Sequence, residues 1–270
     1  MGLRRVGVFV DALNITMNGG FGLRYDALRR FAARDGAFIN RMNVYLAVDK
    51  ERAKEDPSYE EKTHRFCDVL RDFQFKVIEK PMRHYKDAEN GTRISKAGVD
   101  IDMAVDILTL APELDKILLC TSNGDFVSVV RAVQAKGVRV ECLAFDNVSS
   151  ALKKEVDSFI SGYMIPGLLP VESAADWGTI GARVRGVCYD FSKGDGYGFM
   201  RFLTRVDDNL WVTDSRTADS PYKTVFAHVS QFEKDFDVNW LPSRDLIFEF
   251  TLSQNDRGMT AEHIELVSAP

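Results

Sequence analysis

The sequence predicts an α/β domain with a parallel sheet, followed by a small all-β barrel or sandwich. Three observations lead there. Short apolar or β-branched runs alternate with helix-period segments over the first 160 or so residues. That alternation then fails across a stretch bearing prolines and glycines. Beyond it, five short alternating runs follow without strong helices between them.

Strands are expected at Val6–Val10, Asn43–Val48, Phe75–Glu79, Ile117–Cys120 and Val138–Ala144. Between them lie four helical stripes. Tyr25, Leu28, Phe31 and Ala32 share one face, as do Phe66, Val69, Leu70 and Phe73. Ile101, Ala104, Val105, Leu108 and Ala111 form the third stripe, and Val129, Val130 and Val133 the fourth. Strands alternating with helices of this length make βαβ units, and ligands then bind at the carboxyl ends of the strands. The segment IPGLLPVESAADWGTI reads as a linker, which gives domains at 1–165 and 182–270 with 166–181 between them. The later strands are expected at Val184–Cys188, Gly198–Phe202, Thr224–His228, Leu246–Leu252 and His263–Val267.

Charge separates the two parts. The chain holds 35 basic and 40 acidic residues, a net −5. Residues 1–165 carry 25 of the bases and 24 of the acids, while 166–270 carry 10 and 16, so the excess acid is all C-terminal. A uniformly basic nucleic-acid binder is excluded, and 28% charged with 11% aromatic residues argues against disorder. The four cysteines form no C-x-x-C pair, and Cys120 and Cys142 sit in apolar runs, so a reduced, cytoplasmic protein is expected. No apolar run approaches the roughly 18 residues of a membrane helix, and Val6 stands where a myristoylation signal wants Ser or Thr.

The chemistry is carried by where the acids fall. Asp11 follows the first strand, and Asn123 and Asp125 follow ILLCTS, both on the same carboxyl edge. Asp100 opens the helix VDIDMAVDILTLA at that edge, with Asp102 and Asp106 on one helical face after it. Carboxylates meeting at one edge repel unless a cation neutralises them, and hard Mg²⁺ or Mn²⁺ suits an all-oxygen site. The expected donors are therefore Asp11, Asp100, Asn123, Asp125, Asp102 and Asp106. N-capping competes as an explanation for Asp100 and Asp125, but not obviously for Asp11. A dinucleotide loop is excluded, because Tyr25 stands where G-x-G-x-x-G needs its last glycine after Gly20 and Gly22.

Three segments, F-V-D-A-L-N-I (Phe9–Ile15), K-A-G-V-D-I-D-M-A-V-D (Lys96–Asp106) and T-S-N-G-D-F (Thr121–Phe126), together resemble the NYN family of PIN-like nucleases over about residues 4–165. The resemblance implies a doubly wound sheet and a divalent metal held by strand-end aspartates. It also implies endonucleolytic hydrolysis of RNA phosphodiesters. It makes Asp11, Asp100 and Asp125 the expected catalytic residues, with Asn14 accompanying the first and contacting RNA. One residue departs from the family pattern: Asn123 stands where aspartate is usual, which removes a unit of negative charge from the metal site. The alternative is an RNA-binding or protein-interaction adaptor that keeps the fold without turnover.

Residues 80–96 carry Lys80, Arg83, Lys86, Arg93 and Lys96 against Asp87 and Glu89, with His84 and Tyr85 interleaved. Cations with aromatics suit a single strand, so Arg83, Lys86, Arg93 and Lys96 are expected RNA contacts. Further on, G-V-C-Y-D-F-S-K-G-D-G-Y-G-F-M (Gly186–Met200) and V-F-A-H-V-S (Val225–Ser230) resemble the two nucleic-acid motifs of cold-shock domains. This implies an OB-type barrel on which Phe191, Tyr197, Phe199, Phe226 and His228 stack against bases. Asp190 and Asp195 replace the family's tryptophan and lysine, and the segment Arg201–Lys223 is longer than usual. An acidic barrel of this kind also suits a protein partner or a second copy of the chain.

Overall fold

The computed structural model describes residues 4–86, 93–96 and 98–269, and side chains throughout those ranges except at 85, 86 and 93–96. Two compact units emerge. The first comprises Met1–Phe21, Gly36–Ala144 and Val148–Ile160, and the second Gly22–Asp35, Phe145–Asn147 and Ser161–Pro270.

In chain order the elements begin with β1 (Arg5–Asp11), α1 (Ala12–Met17), α2 (Tyr25–Ala32), β2 (Phe38–Val48), α3 (Lys50–Glu55), α4 (Pro57–Asp72) and β3 (Lys76–Pro81). Then come β4 (Arg83–Lys86), β5 (Arg93–Lys96), α5 (Val99–Leu110), β6 (Lys116–Cys120), α6 (Val127–Gln134), β7 (Arg139–Ala144), α7 (Ser150–Glu155) and β8 (Ser158–Ser161). The second unit adds β9 (Arg183–Ser192), β10 (Tyr197–Leu203), β11 (Tyr222–His228), β12 (Ile247–Asn255) and β13 (Gly258–Ser268).

The first unit is built on a six-stranded sheet in the order β3-β2-β1-β6-β7-β8, with parallel pairing from β3 through β7. The chain winds outward from β1 to β2 and β3, then returns to β6 on the other side. That reversal puts the switch point, where such sheets bind ligands, between the carboxyl ends of β1 and β6. The strands are apolar on both faces because both are covered. Phe9, Tyr45, Ile117, Leu119 and Cys142 share one core with Met103, Ile107, Val130 and Leu152, while Val8, Val10, Val44 and Leu118 are buried as well.

The predicted strands all form, most of them longer than expected, while β3, β7 and β12 begin one residue later and leave Phe75, Val138 and Leu246 outside. Helix α5 differs in orientation from the stripe read in the sequence. Val99, Met103 and Ile107 are its buried residues, whereas Ile101 is 68% and Val105 56% exposed. The helix is apolar nearly all round, so periodicity alone does not select a face. Val69 of α4 is likewise exposed; Leu70 is buried as expected, and Cys67 is buried with it.

The second unit contains a closed five-stranded barrel in the order β10-β11-β13-β12-β9. Its core holds Val184, Cys188, Met200, Phe202, Val225, Phe248, Phe250 and Leu252. Residues 166–181 fold with this unit: Leu168 and Leu169 are buried, and the Trp177 indole donates to the Leu203 carbonyl at 2.7 Å. Helix α2 also groups here, with the Arg24 amide donating to the Leu168 carbonyl. All four cysteines are buried free thiols. No helix among the described residues is long and apolar enough to cross a membrane.

Candidate active site

Asp11 is the last residue of β1 and the N-cap of α1, its Oδ1 accepting from the Asn14 amide at 3.1 Å. The capping duty and the strand-end position coincide in one residue. It is only 4% exposed, and burial together with the facing Asp100 carboxyl pushes its pKa up to about 6. The two side chains lie close enough to act on each other directly. They are opposed carboxyl groups whose like charges a cation between them would offset.

Asp100 is carried by the first turn of α5. It does not cap that helix; the cap is Gly98, in the left-handed region at φ 60°, with no side-chain bond. Four contacts fix the first two turns of the helix. Lys80, from the end of β3, donates to the Gly98 carbonyl at 3.0 Å and pairs with Asp102 at 2.7 Å. One turn further, Asp106 Oδ2 accepts from the Tyr45 hydroxyl at 2.7 Å and from Asn43 Nδ2 at 3.1 Å. Tyr45 is fully buried, so that hydroxyl needs its acceptor.

The end of β6 is tied to the end of β1 through Asn14. Its Oδ1 accepts from both the Ser122 amide at 2.8 Å and the Ser122 hydroxyl at 2.9 Å. Asn123 Oδ1 accepts from the Asp125 amide at 2.9 Å and so caps the short 3₁₀ turn Gly124–Phe126 that leads into α6. Asp125 itself is exposed.

The structure therefore does not gather all six expected donors. Asp11 and Asp100 face each other; Asp102 answers Lys80, Asp106 answers Tyr45 and Asn43, and the Asn123 oxygen is turned onto backbone. Among the described residues, no group of three or more Asp, Glu, His or Cys is arranged to hold a metal. Two opposed hard carboxylates nonetheless fit a divalent cation of the Mg²⁺ kind, which is held by one or two carboxylates and completes its shell with water and phosphate oxygens. Asn43, Tyr45 and Ser122 were missed in the sequence. The one signal was a polar pair two residues apart inside an apolar strand, N-V-Y at 43–45.

Of the expected RNA contacts in the basic segment, Arg83 is exposed on β4, which pairs antiparallel with β5. Lys86, Arg93 and Lys96 have side chains outside the described residues. His84 lies beside Asp49, Nε2 to Oδ2 3.1 Å, where β2 ends.

On the barrel, Tyr197 and Phe226 stack with ring centroids 5.6 Å apart, and Phe199 meets Phe226 edge-on at 6.1 Å. With Asn255, Arg257 and Met259 from the β12–β13 turn they line a cavity of about 600 Å³. His228 is exposed at the neighbouring position, its Nδ1 2.8 Å from the Ser230 hydroxyl. Phe191 is not on this face; it is buried in the barrel core, edge-on to Phe232. Asp190 is exposed opposite Phe199, and Asp195 accepts from the Ser192 hydroxyl at 2.7 Å.

The family model of the NYN domain matches residues 5–169. The low amplitude and bright protein LabA of Synechococcus elongatus is 25% identical over 162 residues, covering 58% of this chain and 82% of LabA. Among solved structures, a Vibrio parahaemolyticus protein of unknown function is 21% identical with a TM-score of 0.47, covering 59% of this chain and 93% of its own.

Proposed function

The chain belongs to the NYN domain family, and on that footing we propose that it is a divalent-metal-dependent ribonuclease of the cytoplasm that hydrolyses RNA phosphodiesters. The observation that carries the reading is the Asp11–Asp100 pair at the switch point between β1 and β6. Asp11 and Asp100 would hold the cation, Mg²⁺ or Mn²⁺. Bound there, it would offset charge building on the phosphoryl oxygens and make an attacking water easier to deprotonate.

The rest of the chain's contribution is placement. Asn14 and Ser122 hold the ends of β1 and β6 in fixed relation. Tyr45, Asn43 and Lys80 hold α5, and so Asp100, against the sheet. A misplacement of about 1 Å at such a site costs on the order of 100-fold in rate, so these buried polar bonds matter to turnover as well as to stability. The Lys80 and Arg83 end of the basic hairpin follows β3 on the same edge and suits the RNA backbone. The aromatic face of the cold-shock-like barrel would add stacking to unpaired bases.

A second reading has one observation in its favour. Asn123 removes a charge from the metal site and spends its oxygen on a backbone cap, which suits an RNA-binding adaptor without turnover. Calorimetric titration with Mn²⁺ separates the two. The nuclease reading expects saturable binding that Asp11→Ala abolishes; titration heats identical in wild type and variant support the adaptor.

A further inference from the structure

Two residues beyond Phe199 on β10, Arg201 is already engaged. Its guanidinium lies between two rings, 5.3 Å from the Tyr189 centroid and 5.2 Å from that of Tyr222, and Nη1 donates to the Thr213 carbonyl at 3.1 Å. Thr213 belongs to residues 204–221, the long connection between β10 and β11. The same connection sets the Ser215 hydroxyl 2.6 Å from that of Thr224 and accepts the Tyr222 hydroxyl at the Leu210 carbonyl, 3.0 Å away. Its base is closed by the Thr204 amide and hydroxyl, both 2.8 Å from the Pro221 carbonyl.

Register shows what is being covered. Phe199 pairs with Phe226, and Arg201 with Thr224, so the covered stretch continues the aromatic face by one strand repeat, about 7 Å. A cation between two aromatic rings is what would extend a platform for single-stranded nucleic acid. Arg201 Nε is buried without a hydrogen-bond partner among the described residues, which is a cost of this arrangement.

We propose that residues 204–221 are a built-in stop on the barrel's nucleic-acid face, occupying the Arg201–Tyr189–Tyr222 stretch and confining single-stranded RNA to a short segment over Tyr197, Phe199 and Phe226. The inference rests on the RNA-binding reading of the barrel and specifies its substrate: a short or terminal stretch of unpaired RNA.

The test uses the full chain carrying Asp11→Ala, in chelator, with fluorescence anisotropy of labelled oligouridylates of about two to ten nucleotides. With the connection intact, affinity stops rising after about three or four nucleotides. Replacing residues 205–220 by a short Gly-Ser linker restores a further gain of about ten-fold, the size of one added stacked base. Identical length profiles for the two proteins overturn the stop. A milder pair of substitutions guards against a linker variant that misfolds. Phe199→Ala should weaken binding about ten-fold, whereas Tyr222→Ala should leave it unchanged or strengthen it. A Tyr222→Ala loss matching that of Phe199→Ala means the stretch is open, and the stop is wrong. Absence of binding at every length, in every variant, would remove the RNA-binding reading itself and the stop with it, an outcome distinct from binding with unaltered length dependence.

Discussion

Asp11 trades stability for position. Its carboxyl in the folded chain titrates at about 6, against about 3.9 when unfolded. Below both values the group is protonated in either state and costs nothing. As pH rises between them, the unfolded chain releases a proton that the folded chain keeps, so stability falls, and above about 6 the whole cost is present. Asp11→Asn keeps an N-cap acceptor and removes the charge. Urea unfolding in chelator should find the variant more stable by about 2–3 kcal/mol at alkaline pH, with the difference vanishing in acid. A difference that does not change with pH would contradict the burial account. Asn123 gives a second test at this scale. Aspartate at 123 can still accept the Asp125 amide bond while restoring a negative charge, so Asn123→Asp should fold normally and bind Mn²⁺ more tightly, by titration. Unchanged affinity would mean that position 123 lies outside the metal's reach.

Helix α5 shows at the scale of one element what the sequence could and could not reveal. Its existence and its opening near Asp100 were legible, because a long apolar segment follows a glycine. Its orientation was not, since Val99, Ile101, Met103, Val105 and Ile107 are all apolar and no polar stripe marks the outer side. What sets the face is polar pairing across 61 and 63 residues of sequence, Tyr45 and Asn43 with Asp106, and no local pattern encodes such a contact. The same reason hid Ser122, which meets Asn14 across 108 residues. The strands were readable because a doubly covered sheet demands continuous β-branched runs; β8, four half-buried residues, lacks that signature. Phe191 matched an aromatic motif, yet packs inward beside Phe232, so a motif names a residue type without fixing its face. The observed orientation predicts that Met103→Ala costs about 2–4 kcal/mol while Val105→Ala stays within about 0.5 kcal/mol by thermal unfolding. Equal losses at the two positions would reverse the assigned face.

Across the whole molecule, the net charge of −5 conceals a sorting that suits the RNA partner proposed above. Asp11 and Asp100 of the NYN domain meet at the carboxyl edge of the sheet, and a run of cations follows β3 along the hairpin that carries Arg83. If that hairpin tracks phosphates, neutralising Arg83, Lys86, Arg93 and Lys96 together should flatten the log–log salt dependence of RNA binding by about 2–3. An unaltered slope would move the RNA path elsewhere. The central claim is that Asp11 and Asp100 form the metal centre of a ribonuclease, and it is tested most directly by cleavage of a labelled single-stranded RNA. With Mn²⁺ or Mg²⁺ the wild type should cut, chelator should stop it, and Asp11→Ala should lose at least about 100-fold while remaining folded. Undiminished cleavage by Asp11→Ala, or none by the wild type with either metal, would contradict the account.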